Sequence, residues 1–307
     1  MVNDARCRDV YHNLDDYLTR FRNHKQTHER NLNDYRAKEI YLFTVNYHFK
    51  NYSSALFIRR VIYSLFALSY PYDFDLLLVG PVTDEKNMVY GNGLPALGFY
   101  SYHSLAVAIN MFPAQCGYKY AGFFQVNDDS CLQPFYLGQE LHSQPMAETW
   151  QKWNINLHWV WNNKQNINNV PYHKAFQNAV DEIDRNISLK ALCKYNKTDL
   201  RKGWSDFFYI PSSNISSYLL LEKVFFNHKV FLENAIPFIM NCLNAKIIST
   251  CNHGKMPNRE YCVHLHPVKF SRSYEREICI NRITNISLSE RPNTWFCVCY
   301  ICTVIVL

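Results

Sequence analysis

Apolar residues in this chain gather into unbroken runs separated by stretches with helical spacing. Lys38 to Phe49 (KEIYLFTVNYHF), Asp73 to Val79 (DFDLLLV) and Gly122 to Val126 (GFFQV) carry them at consecutive positions, as strands buried on both faces do. Between the first two runs, Leu56, Ile58, Val61, Ile62, Leu65 and Phe66 recur every three or four residues, which predicts a helix from Ser54 to Ser69. Gly80-Pro81 ends the second strand. Strand, helix, strand is the opening of a parallel α/β sheet.

The pattern continues with a loop at Gly91 to Pro95, a short amphipathic helix from His103 to Phe112, and the strand that climbs into Asn127-Asp128-Asp129-Ser130. A Trp- and Asn-rich insert from Trp150 to Tyr172 lacks helical period, and either stacks on a sugar or covers the core. Gly203 to Pro211 (GWSDFFYIP) reads as a buried strand introduced by Asp206. A long helical run, Ser216 to Leu243, is expected to break at Pro237. A loop at Asn252 to Asn258 leads to Tyr261 to Phe270, which begins as a strand.

These elements divide the chain into a charged helical leader at 1–37, an α/β domain at 38–280 and a tail at 281–307. The leader carries Tyr11, Leu14, Tyr17, Leu18 and Phe21 at helix spacing. Trp295 to Leu307 is apolar but shorter than the roughly 20 residues that span a bilayer. With 307 residues, 48% of them apolar, and 22 Tyr and 20 Phe, the chain can fill a large core. Its net charge of +6 is modest and scattered, which disfavours nucleic acid as a partner.

Eleven cysteines include no two C-x-x-C pairs at zinc-finger spacing, so structural zinc is not expected. They are either disulfides formed in an oxidising lumen or buried thiols. Sequons at Asn51, Asn186, Asn196, Asn214 and Asn285 agree with a lumenal protein.

Chemistry concentrates in four places. Two adjacent carboxylates at the end of an apolar strand resist burial unless something positive pairs with them, and strand ends are where open α/β sheets hold ligands. In an extended backbone Asn127 and Asp129 share a face and Asp128 takes the other; their oxygens suit Mg²⁺ or Mn²⁺, or the group is a solvated turn. His264 and His266, one residue apart in a strand, present both rings to one side, for a metal, for a phosphate, or as ordinary surface histidines. Lys269 follows as a phosphate partner. Asp206 either meets a substrate hydroxyl or caps a turn. Glu233, within an apolar helix, is either a general base or half of an ion pair.

In this order the parts resemble a GT-A-type glycosyltransferase: strand-helix-strand from Ile40, Val126-Asn127-Asp128-Asp129 in the place of a D-x-D motif, and the late Val263-His264-Leu265-His266-Pro267 segment. The resemblance implies a mixed, mostly parallel sheet flanked by helices. It implies Mn²⁺ or Mg²⁺ held by Asp129 with His264 or His266, Asn127 standing where the first Asp would be, and Asp128 on the ribose or sugar or as a second ligand. Sugar would pass from a nucleotide-sugar donor to a hydroxyl on a glycan, protein or lipid, with Asp206 or Glu233 as base. The expected place is the Golgi or ER lumen, with membrane attachment only through an anchor outside this chain. Two rivals are a non-catalytic lumenal carbohydrate-binding or scaffold protein on the same fold, and a metal-dependent phosphohydrolase using Asp128, Asp129, His264 and His266.

Overall fold

A computed structural model of the chain describes residues 40–46, 58, 62–63, 66, 70, 73–80, 89–91, 100–111, 120–133, 137, 144–148, 150–152, 170–193, 201–203, 205–248, 250–252, 263–270 and 272–289. In chain order they form β1 (Ile40–Asn46), β2 (Asp73–Gly80), β3 (Val89–Gly91), α1 (Ser101–Met111), β4 (Tyr120–Asn127), β5 (Cys131–Leu132), β6 (Met146–Glu148) and β7 (Trp150–Lys152). There follow α2 (Val170–Arg185), α3 (Ile187–Leu192), β8 (Arg201–Gly203), β9 (Phe207–Pro211), α4 (Ile215–Asn227), α5 (Leu232–Cys242), β10 (Lys246–Ile248), β11 (Thr250–Asn252), β12 (His264–His266) and α6 (Ser273–Ser289). The leader, the Gly91 to Pro95 loop beyond Gly91, most of the Trp-rich insert, the loop after Asn252 and the tail beyond Ser289 lie outside the described residues.

Seven strands make one sheet in the order β10-β6-β9-β4-β1-β2-β3. Its pairs are parallel except those of β9, which runs antiparallel between β4 and β6. The fold is thus α/β, a mixed and mostly parallel sheet with helices against it. The three long apolar runs became its centre: β1 is paired along both edges by β2 and β4, and an apolar layer covers each of its faces. Alternation sorts the side chains, with Tyr41, Phe43 and Val45 on one side and Leu42 on the other.

One apolar layer joins Leu42, Phe123, Phe208 and Ile210 to α1, α2, α4 and α5. The other joins Phe43, Phe124 and Val126 to Ile58, Ile62, Phe66 and Tyr70, and to Leu265 and Cys279. Phe43 stacks on Phe124 at 4.3 Å between ring centres and meets Phe66, Tyr70 and Phe74 edge-on. Gly122 fits because the Tyr209 ring lies where a Cβ would project. From β1 the chain runs outward through β2 and β3, then returns to the opposite side as β4. The carboxyl ends of β1 and β4 therefore flank the reversal point at which such sheets open a crevice.

Several boundaries differ from expectation. The long helical run breaks after Asn227 rather than at Pro237. Lys229 adopts a left-handed φ of 57°, and the amides of Lys229 and Val230 close onto the Phe226 and Phe225 carbonyls at 3.0 Å each. That is a Schellman stop with Lys where Gly is usual, so no glycine marked it. Pro237 is carried inside α5. The helix expected at His103 to Phe112 is buried on several sides rather than amphipathic, because it lies between the sheet and α4; Tyr102 Oη donates to the Val230 carbonyl at 2.9 Å and Tyr218 Oη to that of Tyr102 at 2.7 Å.

Candidate metal site

β4 stops at Asn127 because its neighbours stop it. The Asn127 amide donates to the Asp206 carbonyl at 2.9 Å, the next amide, from Asp128, donates to the Asn46 carbonyl at 3.0 Å, and Ser130 turns back onto the Asn127 carbonyl at 3.2 Å. Asp128 and Asp129 therefore sit in a turn, and the expected alternation of an extended triplet does not apply. Neither is solvated: Asp128 is 2% exposed and the Asp129 side chain 15%.

The antiparallel direction of β9 supplies the next acid. Val126 pairs with Phe207, so Asp206, just before β9, stands beside Asn127 at the same edge. β6 runs antiparallel to β9 and hence along β4, which brings its last residue, Glu148, to that edge as well. On the other side β5 and β12 pair, Leu132 with His264 and Cys131 with Leu265. The zipper is extended by Gln133 N to Val263 O at 2.8 Å and Val268 N to Asp129 O at 2.6 Å. A Cys131–Cys279 disulfide then ties β5 to α6.

His266 lands between two carboxylates, Nε2 at 3.2 Å from Asp129 Oδ1 and Nδ1 at 3.4 Å from Asp206 Oδ2. Lys269 Nζ donates to the second Asp129 oxygen at 2.7 Å, and Asn127 Nδ2 donates to Asp206 Oδ1 at 2.5 Å. One ligand atom from each of Asp129, Asp206 and His266 falls within 4.8 Å of the others. Two carboxylate oxygens and an imidazole nitrogen at that spacing could hold a metal ion.

The electrostatics follow from this crowding. Burial works against charge on His266, but the hydrogen bond it donates to Asp129 and the charges of Asp206, Asp129 and Glu148 prevail and raise it to about 9. Burial likewise opposes ionisation of Asp129, yet His266 and Lys269 hold its carboxyl well below the usual range. Glu233, in the first turn of α5 and half-buried, is pushed up to about 8 by burial and by Asp206, with Glu148 adding to the rise and His266 opposing it.

Behind this group, fully buried Glu148 presses on fully buried His264. Burial and the Asp206 charge push Glu148 well up, while burial and the His266 charge push His264 down to about 3. Both shifts run toward the uncharged forms and so work against an ion pair between them.

Of the residues expected at the site, Asp129 and His266 come together, with Asp206 joining them as a third donor in addition to its expected role as base. His264 faces the same way as His266, their rings 5.7 Å apart and near parallel, yet belongs to the buried layer behind. Asn127 orients Asp206, Lys269 neutralises Asp129, and Glu233 borders the group without joining it. Glu148 was missed; its signal was a carboxylate closing a short apolar run (Pro145-Met146-Ala147-Glu148), the same pattern that drew notice at Asp129. No protein-family model matches the chain, and a search among curated proteins likewise finds no match.

Proposed function

We propose that the chain is a metal-dependent, GT-A-type glycosyltransferase that moves a sugar from a nucleoside-diphosphate sugar to a hydroxyl acceptor. The observation that carries the reading is the convergence of Asp129, Asp206 and His266 within 4.8 Å at the carboxyl edge of a mixed, mostly parallel sheet, beside its reversal point. A sheet of that form is what the GT-A resemblance implies, and that edge is where nucleotides bind in open α/β folds.

Asp129, Asp206 and His266 would hold Mn²⁺ or Mg²⁺. Held there, the ion would supply positive charge to offset what grows on the leaving phosphate. Asn127 keeps Asp206 turned toward the group through its 2.5 Å hydrogen bond. Lys269, 48% exposed at the rim, is placed to exchange Asp129 for a phosphate oxygen. With Asp206 engaged, Glu233 is the remaining candidate base, and a value of about 8 lies near neutrality, where a carboxyl transfers protons effectively.

Two disulfides among the described residues, Cys131–Cys279 and Cys193–Cys242, support an oxidising compartment, and the Golgi or ER lumen is the compartment we infer. Among the described residues no helix is long and apolar enough to cross a membrane.

A second reading, a non-catalytic carbohydrate-binding or scaffold protein on the same fold, has one observation in its favour. Lys269 and His266 already balance Asp129 and Asp206, so the group satisfies itself without an ion. Calorimetric titration of nucleoside diphosphates, with and without Mn²⁺, separates the two. Metal-dependent binding supports the transferase; silence from folded protein supports the second reading.

A further inference from the structure

The 170–193 segment carries a feature that the metal site does not use. Asn186 interrupts two helices, ending α2 and starting α3, with an extended backbone at φ −94° and ψ 112°. Three of its four polar groups are spent on this junction. Its amide donates to the Glu182 carbonyl at 3.1 Å, its carbonyl accepts from Lys190 N at 2.8 Å, and its side-chain Oδ1 accepts from Leu189 N at 3.1 Å. The side-chain nitrogen Nδ2 is the one group left, and none of the hydrogen bonds described engages it.

Asn186, Ile187 and Ser188 form an Asn-X-Ser sequon, and all three are exposed, as is Arg185 before them. Ile187 is 87% exposed, a large aliphatic side chain standing in water. Seven residues on, Cys193 bonds Cys242, so the segment is built for an oxidising environment. By contrast Asn214, the sequon at the start of α4, is half-buried, and its Oδ1 accepts from Ser213 Oγ at 3.1 Å.

We propose that Asn186 is an N-glycosylation site. The reaction requires a lipid-diphosphate-linked oligosaccharide and the lumenal transferase that uses it. Asn186 Nδ2 bonds to the anomeric carbon of the oligosaccharide, the bond from that carbon to the diphosphate breaks, the lipid diphosphate leaves with the electron pair, and the amide gives up one proton. Oδ1 keeps its lone pairs, so the helix cap survives modification. The attached sugar lies over exposed Ile187 and shades its apolar surface, and the glycan projects from the junction without displacing a packed side chain.

The inference rests on the lumenal reading, and one experiment tests both. The full chain is isolated from the cells that make it and digested without reduction. Mass spectrometry then reads the Cys193–Cys242 peptide pair and the Asn186 peptide, before and after enzymatic deglycosylation. The expected result is a disulfide-linked pair with a glycan on Asn186, and loss of one discrete mobility step in Asn186→Asp. That variant keeps an oxygen for the cap, so folding is preserved; Ser188→Ala, which leaves Asn186 untouched, removes the same step. A formed disulfide with bare Asn186 overturns the site while leaving the compartment standing. Free thiols with bare Asn186 overturn both.

Discussion

Replacing Asp129 by Asn probes the arrangement at its centre. The substitution keeps size and an acceptor oxygen but removes the charge that faces His266 at 3.2 Å and Lys269 at 2.7 Å. His266 is raised from 6.5 to about 9, and that rise corresponds to about 3 kcal/mol of preference for its charged form. Against burial, Asp129 is the foremost contributor, ahead of Asp206 and Glu148. In chelator-treated protein, Asp129→Asn should lower the His266 value by more than about one unit and cost about 2 kcal/mol at pH 7.

The sign of the pH dependence is fixed by both partners. The raised value of His266 gives stability that is complete below pH 6.5 and fades as pH passes about 9. The depressed value of Asp129 gives stability present above pH 3.8 and lost as pH falls through its folded value. Urea unfolding of both proteins across pH 4 to 10, with ring-nitrogen NMR of His266, provides the measurements. The stability gap should be widest near pH 6 and narrow toward pH 10, where the His266 part is lost and the Lys269 contact remains. A gap that stays constant across that span, or a His266 value unmoved by the substitution, would refute the reasoning.

Three further outcomes are expected. Glu233 is raised from 4.5 to about 8, so between those values the folded state holds a proton that the unfolded chain has released, and stability falls as pH rises; Glu233→Gln should gain a few kcal/mol at most at pH 8.5 and much less at pH 4.5, read by thermal melts. Gly122→Ala, which drives a methyl into the buried Tyr209 ring, should cost about 1–3 kcal/mol in urea unfolding. Opening Cys131–Cys279, which spans 148 residues, by paired Ser substitution should cost up to about 5 kcal/mol, against up to about 4 for Cys193–Cys242 across 49 residues; equal losses would argue against a chain-entropy origin.

The sheet's centre was legible because β1, β2 and β4 are buried on both faces, and such strands read as continuous apolar runs. Asp129 and His266 were legible as chemistry out of place, charged or titratable groups closing apolar strands. What stayed hidden depends on pairing. That Asp206 joins them follows from the antiparallel direction of β9, which one strand's own residues do not declare. Glu148 ends a strand of three residues, too short for any period to emerge. The break after Asn227 rests on Lys229 in a left-handed turn, where local preference points to glycine and tertiary packing overrides it. His264 and His266 share a side as their spacing requires, but which one meets Asp129 is decided by where the β5–β12 pairing ends.

The most direct test is a calorimetric titration of Mn²⁺ into the chelator-stripped protein beside Asp206→Ala and His266→Ala, each verified as folded by circular dichroism. The account predicts one ion per wild-type chain and affinity reduced at least about tenfold in each variant. A folded wild type that takes up no ion, or variants that bind as tightly as the wild type, would contradict it.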